Sequence, residues 1–324
     1  MKTLEATSEN IHYAAELIKT GELVAFPTET VYGLGADGLN PIAVAKIFEA
    51  KNRPSFNPLI LHVSTIDQLD NICIIDDDRI QNLITEFWPG PLTLVIPKKE
   101  IVPEIVTAGN KTVAVRMPNH PVALSLINKA KTPIAAPSAN KFGMLSPTSA
   151  KHVEKQLKDR IKLILNGGES NIGLESTIIE INEKEINLLR PGGLPLEKIE
   201  EVIGEIKQKS SFNHVPNSPG QLPFHYSTNV PLQIINEKTF DTLKNKKVGL
   251  LVLKENKYEF DFSEVKVLSQ KGDLREASAN LFKYMHELDS LDLDLILVEP
   301  VNKTGLGKAV MDRLEKASNK FKQT

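Results

Sequence analysis

The sequence has only one cysteine and one tryptophan among its 324 residues. An internal disulfide needs two cysteines, so the single Cys73 excludes a disulfide framework and is expected to be a small core residue. The cysteine and the histidines also lack the short spacings of a structural zinc site. The fold is therefore expected to depend on a sizeable apolar core rather than on cross-links.

A net excess of charge is also absent, because 39 Lys plus Arg stand against 41 Asp plus Glu. The formal net charge of −2 gives no general attraction for nucleic acid or anionic membranes, so any phosphate binding must be local. No segment approaches the ~18 consecutive apolar residues of a membrane-spanning helix. Because the sequence also has no cationic start followed by an apolar run, the expected location is the cytoplasm, without membrane contact.

The residues that are present indicate a globular α/β protein. Hydrophobic residues make up 41% and charged residues 25% of the chain, whose length suits two domains. Residues 1–208 are predicted to form a domain with a mixed, twisted sheet and packed helices, because strands and helices alternate irregularly. Residues 231–324 are predicted to form a smaller, Rossmann-like α/β domain after a linker over 209–230.

Apolar periodicity and capping residues define the predicted elements. Asn40 followed by Pro41 is typical of a helix start, and it places Lys51 at the C-terminal end of that helix. Helices are predicted over 11–18, 42–50, 80–87, 121–129 and 274–288, and strands over 23–26, 59–63, 92–96, 112–116, 134–136, 162–165, 177–181, 188–190, 248–253 and 295–298.

Two polar clusters follow apolar runs. Lys51 and Arg53 are one residue apart, and Ser138-Ala139-Asn140 adds a hydroxyl and an amide much later in the chain. Ligand sites of α/β proteins lie at strand ends, and paired cations with polar donors suit an anion such as a nucleoside triphosphate. Taken singly, each cluster is also compatible with a solvated cation pair or an ordinary turn.

Four further strings place polar residues at the ends of β-type runs, over 27–35, 57–63, 88–93 and 112–118. With these strings the sequence closely resembles the YrdC-like family of threonylcarbamoyl-AMP synthases, in its two-domain version. The similarity runs from residue 24 to residue 193 and returns at Ser218-Pro219-Gly220 and His225-Tyr226. It implies a nucleotidyltransferase that condenses L-threonine, bicarbonate and ATP into L-threonylcarbamoyladenylate and releases pyrophosphate. A separate threonylcarbamoyl transferase complex would then modify the adenosine beside the tRNA anticodon.

Adenylate formation must neutralise charge that develops on the phosphates, mainly by positioning and electrostatics. Lys51 and Arg53 are predicted to be the catalytic cations, with Arg190 as a third, although Arg190 also suits a salt bridge to a nearby carboxylate. Mg²⁺ is inferred from ATP and is expected on the phosphates, with no protein ligand assigned. The resemblance implies an ATP site formed by Arg53, Asn57, Thr112, Ser138, Asn140, Ser146 and Arg190.

The threonine site is predicted around Arg116. This arginine lies in an otherwise apolar strand, where an unpaired charge is costly to bury, so it suits a clamp for the amino-acid carboxylate. His62 taken alone is more typical of a core histidine than of a ligand contact. The resemblance implies that threonine is bound among Thr30, His62, Arg116, Ala136 and Ser176.

The linker over 209–230 is longer than a plain connection, which favours either an active-site lid or a flexible tether. Its lid candidates are His225 and Tyr226. Many members of the family that the sequence resembles have a tyrosine where this chain has Pro223, so a nucleotide contact from that tyrosine is not carried over.

Three alternatives are weighed against this interpretation. The glycine spacing over 33–38 matches a dinucleotide-binding motif, but no helix opens within it. The string over 305–308 lacks the remaining residues of a P-loop and is predicted to be a loop before the final helix. A double-stranded RNA or tRNA binding module without catalysis lacks support from any Arg-rich tract or aromatic stacking motif, although a weak tRNA contact by the enzyme stays open.

Overall fold

The computed structural model describes residues 1–182, 185–208, 219–220, 225–237 and 239–321. Most of the predicted linker, including Ser218 and Pro223, lies outside the described residues. The predicted lid therefore stays a prediction, and so do the domain boundaries.

The first part of the chain alternates short strands with helices. Its helices are α1 (Ser8–Lys19), α2 (Pro41–Lys51), α3 (Ile66–Ile72), α4 (Asp78–Phe87), α5 (Glu104–Thr107), α6 (Pro121–Ala130), α7 (Ala150–Leu157) and α8 (Leu196–Ile203). Its strands are β1 (Lys2–Glu5), β2 (Val24–Phe26), β3 (Gly33–Asp37), β4 (Ile60–His62), β5 (Leu92–Pro97), β6 (Thr112–Arg116), β7 (Ile134–Ala135), β8 (Leu163–Asn166), β9 (Thr177–Ile181), β10 (Ile186–Arg190) and β11 (Lys207–Gln208).

Within the described residues these eleven strands form one mixed sheet, in the order β1-β8-β2-β3-β7-β4-β6-β5-β9-β10-β11. Successive side chains of a strand point to opposite faces, so both faces of the central strands must be covered. In β2, Val24 and Phe26 pack in a cluster with α1 and α6, whereas Ala25 packs in the cluster that contains α2. Cys73 is buried in this second cluster, as predicted.

Side-chain caps explain where the early helices begin. Thr7 accepts a hydrogen bond from the Asn10 amide at 3.2 Å and starts α1. Asn40 Oδ1 accepts from the amides of Ile42 and Ala43 at 3.0 and 3.2 Å, which starts α2 at Pro41. The helix ends at Lys51, where Asn52 adopts a left-handed conformation with φ 53°. Both cations predicted to bind phosphate therefore have their positions set by one helix end.

The glycine-rich string over 33–38 contains strand β3, which pairs antiparallel with β2. No helix opens within the glycines, because α2 begins only at Pro41, so the string is not a dinucleotide-binding turn. A Cβ at Gly35 would lie 2.8 Å from the Phe26 ring and 2.9 Å from Ile134, so this glycine allows close packing in the sheet.

The C-terminal part contains β12 (Leu232–Ile234), β13 (Val248–Val252), β14 (Glu264–Val267), α9 (Leu274–Leu288), β15 (Leu295–Val298) and α10 (Leu306–Asn319). Its strands form an all-parallel sheet in the order β12-β15-β13-β14, which agrees with the predicted Rossmann-like domain. The string over 305–308 was predicted to be a loop, but only Gly305 precedes α10, and residues 306–308 form the first turn of that helix. No helix in the part of the chain that the structure describes is long and apolar enough to cross a membrane.

Candidate active site

A small polar cavity, partly open to solvent, lies at the ends of the central strands. Strands β4 and β6 run parallel with His62 opposite Arg116, and Ser138 forms an isolated bridge with Gly33, so distant polar residues meet at one edge. The predicted residues that line the cavity are Thr30, Arg53, His62, Arg116, Ala136, Ser138, Ser176, Arg190 and His225. The other predicted residues are Lys51, Asn57, Thr112, Asn140, Ser146 and Tyr226, and they are not among its lining residues.

Arg53 and Arg190 are two buried cations of the cavity wall that are held by main-chain carbonyls. Arg53 donates to the carbonyls of Asn57 and Pro58 at 3.1 and 2.9 Å. Arg190 donates through Nε and Nη2 to the Ser176 carbonyl at 3.1 and 2.9 Å. Burial and then the charge of Arg190 lower the pKa of Arg53 to about 9. Neither arginine forms an ion pair with any described carboxylate, so the salt-bridge alternative for Arg190 is not observed.

Lys51 contacts the loop that carries Ser138 and Asn140 rather than the cavity itself. Its Nζ donates to the carbonyl oxygens of both residues. Asn140 in turn donates to the carbonyls of Lys141 and Met144, each at 2.8 Å. Burial and then the charge of Arg53 lower the pKa of Lys51 well below its ordinary value. The two predicted clusters thus touch, and Lys51 holds the loop in place.

The remaining predicted ATP residues lie outside the cavity wall. Asn57 is fully buried, and neither atom of its amide has a hydrogen-bond partner among the described residues. Thr112 is the first residue of β6, at the opposite end from Arg116. Ser146 donates to Glu175 Oε1 at 2.5 Å and contacts the cavity through that carboxylate. The predicted ATP contacts of all three stay predictions.

Arg116 already has a carboxylate partner. Its Nη2 forms an ion pair with Glu29 Oε1 at 2.5 Å, and both side chains are buried. Its Nη1 donates to the Thr30 hydroxyl at 2.9 Å, and its Nε donates to the Gly90 carbonyl at 3.1 Å. The sequence indicated that this charge needs a partner but did not identify Glu29, since a Glu in a Thr-rich string carries no pairing signal.

The other predicted threonine residues surround Arg116. Burial and then the charge of Arg116 lower the pKa of His62 to about 3, so its imidazole is neutral near pH 7. His62 Nδ1 has no hydrogen-bond partner among the described residues. The Ser176 hydroxyl lies 2.7 Å from that of Thr93, and Ala136 packs beside β4, where its amide donates to the Ile60 carbonyl.

Sequence reasoning missed a buried ion pair between Glu175 and Arg313. Glu175 lines the cavity, and Arg313 of α10 donates to its Oε2 through Nε at 2.9 Å. Burial alone would raise the pKa of Glu175, but the charges of Arg313 and Arg190 outweigh it and lower the pKa to about 2. A signal was present, because Arg313 shares a helix face with Val310, Leu314 and Ala317, where a lone cation needs a partner.

The two lid candidates follow the undescribed part of the linker. His225 lines the cavity, and burial lowers its pKa to about 3, so it is neutral near pH 7. Its ring contacts Phe142 edge-on, with centroids 6.0 Å apart. Tyr226 is buried under the Arg313 guanidinium, 5.1 Å from the ring centroid. Its hydroxyl has no hydrogen-bond partner in the described ranges.

Among the described residues no group of three or more His, Cys, Asp or Glu side chains could hold a metal ion. Both carboxylates of this region are engaged, Glu29 by Arg116 and Glu175 by Arg313. Chemically, the cavity is therefore an anion site with neutral hydroxyl and imidazole donors.

Two family models cover most of the chain. One, described as telomere recombination, matches residues 16–192, and the other, described as the threonylcarbamoyl-AMP synthase C-terminal domain, matches residues 194–319. The threonylcarbamoyl-AMP synthase of Pyrococcus abyssi is 45% identical over 95% of this chain and 94% of its own length. The chain belongs to the threonylcarbamoyl-AMP synthase family. The prediction of this family and of a nucleotidyltransferase-type enzyme is thereby confirmed.

Further relatives define the extent of the match. The Bacillus subtilis threonylcarbamoyl-AMP synthase is 42% identical over 97% of this chain and 94% of its own length. A crystal structure of the P. abyssi protein complexed with L-threonine has a TM-score of 0.89, covering 98% of this chain and 96% of that one. The Vibrio campbellii threonylcarbamoyl-AMP synthase is 33% identical, covering all of its own length (100%) but only 57% of this chain. Proteins with this name therefore include one whose full length matches little more than half of this chain.

Proposed function

We propose that the chain condenses L-threonine, bicarbonate and ATP into L-threonylcarbamoyladenylate and releases pyrophosphate. The names of the full-length relatives support this activity. The observation that carries it is the position of Arg53 and Arg190 in one cavity with Arg116, where the first two lack carboxylate partners among the described residues.

Arg53 and Arg190 suit the nucleotide phosphates. Burial removes water from both guanidinium groups, and the charge of Arg190 disfavours the charged form of Arg53. A polyanion between them would relieve this repulsion and add charge-assisted hydrogen bonds. The loop that Lys51 holds supplies the Ser138 hydroxyl from a neighbouring part of the wall.

Arg116, Thr30 and His62 suit the amino acid. A threonine carboxylate would have to share or replace the Glu29 contact of Arg116, while the Thr30 hydroxyl offers a neutral partner. With a pKa of about 3, His62 is a poor general base but a suitable hydrogen-bond partner for the amino or hydroxyl group of threonine. The relative solved with L-threonine supports threonine as a substrate here.

The reaction then needs two steps that leave little covalent work to the protein. The threonine nitrogen first takes up the carbon of bicarbonate, and water is released. A carboxylate oxygen of the product next attacks the α-phosphorus of ATP, and the bond to pyrophosphate breaks. The arginines hold both anions in contact and balance charge on the departing pyrophosphate, which is the main route to catalysis in phosphorus transfer.

The Mg²⁺ that accompanies ATP would bind through the phosphates and water and would help to neutralise them. This agrees with a cavity in which Glu175 of the wall, and Glu29 beside it, are paired with arginines. The downstream transferase complex, a weak tRNA contact and a cytoplasmic location remain predictions.

The test is pyrophosphate release with ATP, Mg²⁺ and bicarbonate, measured with and without L-threonine, and with L-serine as a matched amino acid. We expect release that depends on both threonine and bicarbonate, with threonylcarbamoyl-AMP identified by mass. Absence of threonine-dependent release from folded protein would refute the proposal. Salt-dependent RNA binding without any release would support the RNA-binding alternative instead.

A further inference from the structure

The side chain of Arg313 extends from the C-terminal part of the chain to the cavity wall. It lies on α10 and is 0% exposed. Its Nε contacts Glu175 at 2.9 Å, and its Nη1 donates to the Pro191 carbonyl at 2.8 Å, directly after Arg190. Nη1 also forms an ion pair with Asp312 at 2.6 Å, a carboxylate that Lys316 holds as well. Its guanidinium also covers the ring of Tyr226. One side chain thereby connects the C-terminal part to the wall, to the strand end that carries Arg190, and to the segment after the linker.

The partner of Arg313 is a carboxylate where anions are expected. Glu175 lines the cavity, and without a cation its charge would repel a triphosphate or an amino-acid carboxylate. Two cations act on it, Arg313 and Arg190, but only Arg313 forms an ion pair with it. If Arg313 were absent, Arg190 would be the remaining cation able to compensate Glu175.

We propose that Arg313 is a positioning residue that occupies Glu175 and so keeps Arg190 free for the nucleotide. The inference rests on the proposed function, in which Arg190 binds ATP. In this proposal the C-terminal part acts on the site through α10, because Arg313 compensates the negative charge of Glu175 in the cavity wall.

A purely structural role would have a different signature. Loss of a buried ion pair destabilises a fold whichever partner is removed, because the remaining charge is uncompensated. The proposed role predicts that ATP affinity depends on the charge of Glu175. Neutralising Glu175 should therefore restore ATP binding to a variant that lacks Arg313, even though the ion pair stays absent.

The experiment measures ATP affinity by titration calorimetry for Arg313→Met, Glu175→Gln and the double variant. We expect Arg313→Met to weaken ATP binding roughly 10- to 100-fold, the range for an uncompensated charge at a binding site. The double variant should return to within about threefold of wild type. Lys308→Met is the matched control, because it removes a cation from the same helix whose side chain has no described bond to the cavity, and it should bind ATP like wild type.

The pH dependence provides a second readout. The groups that contact or act on Glu175 are Arg313, Arg190 and the Ser146 hydroxyl, and its charge is felt by Tyr226 and His225. Burial raises the pKa of Tyr226 and lowers the pKa of His225 to about 3. Both side chains are therefore neutral between about pH 5.5 and 8. Without Arg313 the pKa of Glu175 should rise from its lowered value, because only Arg190 and the Ser146 hydroxyl are left to oppose the effect of burial. ATP should therefore bind Arg313→Met more tightly as the pH falls, while wild type changes little.

The inference is overturned if folded Arg313→Met binds ATP like wild type, or if Glu175→Gln fails to rescue it and its affinity is flat with pH. If Arg313→Met does not fold, the comparison of Arg313→Lys with Arg313→Lys/Glu175→Gln decides, because lysine cannot make both guanidinium bonds and the rescue must still be seen. Calorimetry needs no turnover, so an inactive wild type that binds ATP would refute the proposed function without deciding this one.

Discussion

The two sides of the cavity hold their arginines differently. On the side proposed for threonine Arg116 is paired with Glu29, whereas on the side proposed for the nucleotide Arg53 and Arg190 are held by main-chain carbonyls and, for Arg190, the Ser176 hydroxyl, with no described carboxylate partner. A paired arginine exchanges one carboxylate for another when the ligand binds, so the exchange adds little net attraction and mainly fixes the orientation of the ligand. Unpaired arginines offer their full charge to a polyanion. The difference predicts selectivity on one side and strong anion binding on the other.

Arg53→Ala should produce the largest loss. We expect threonine-dependent pyrophosphate release to fall at least roughly 10²-fold, the scale for removing one preorganised donor of the transition state. The measurement is kcat/KM for ATP, with folding checked by circular dichroism. Arg79→Ala is the control, because Arg79 pairs with Asp77 on α4 away from the cavity. Near-normal turnover of folded Arg53→Ala would remove the nucleotide side of the comparison.

Arg116→Lys should weaken threonine binding roughly tenfold and leave ATP affinity almost unchanged. Lysine keeps the charge near Glu29 but loses the planar fork that now reaches Glu29, Thr30 and Gly90 together. Titration calorimetry with each substrate measures the effect. Retained threonine affinity with a collapse of ATP affinity would assign Arg116 to the nucleotide side and contradict our division.

Asn57→Leu should stabilise the protein without ligand and weaken ATP binding. The buried amide has no described partner, and an unsatisfied buried polar group costs about 1–3 kcal/mol, which leucine avoids. Thermal unfolding with and without ATP tests this. A lower melting temperature without ligand would show that the amide is satisfied in the free protein.

Burial lowers the pKa of several histidines, and the two that line the cavity, His62 and His225, give the most specific test. His62 and His225 have a pKa of about 3 in the folded protein, below the ordinary value of about 6.5, so the unfolded chain binds more protons between these limits. Stability should therefore fall as the pH drops below about 6.5, by at most roughly 1.4 kcal/mol per histidine and pH unit. Thermal unfolding at pH 5 and pH 7 measures the loss.

ATP should reduce this acid sensitivity, because phosphates near His225 favour its protonated form, whereas zwitterionic threonine beside His62 should not. His225→Gln should abolish the extra protection by ATP at pH 5, and His62→Gln should preserve it. The reverse pattern would place the phosphates on the threonine side.

The sequence predicted the local structure well where local chemistry determines it. The caps at Thr7 and Asn40 begin the predicted helices, and strands β6 and β9 have the predicted bounds. Strand β3 was not predicted, because its glycines resemble a turn and their use in close packing depends on Phe26, which no local pattern reveals.

The site was predicted less completely, for a physical reason. Motif strings identify which residues are polar but not which distant groups they meet. Lys51 was predicted at the phosphates, yet its Nζ donates to carbonyls of the 138–140 loop, and the Glu175–Arg313 pair joins residues that are 138 positions apart in the chain. Such pairings depend on how the sheet and α10 pack together, so they became visible only in the folded structure.

Main-chain carbonyls hold Arg53, Arg190 and Lys51, and this affects which substitutions near these cations can be tolerated. Every residue type supplies the same carbonyl, so mutation of the side chains at Pro58 or Asn140 does not by itself remove the acceptor that seats each cation. The Glu29–Arg116 pair has no such tolerance, because any substitution at either residue changes the partnership. In a deep mutational scan, substitutions at Pro58 and Asn140 should therefore be tolerated more readily than substitutions at Glu29 and Arg116.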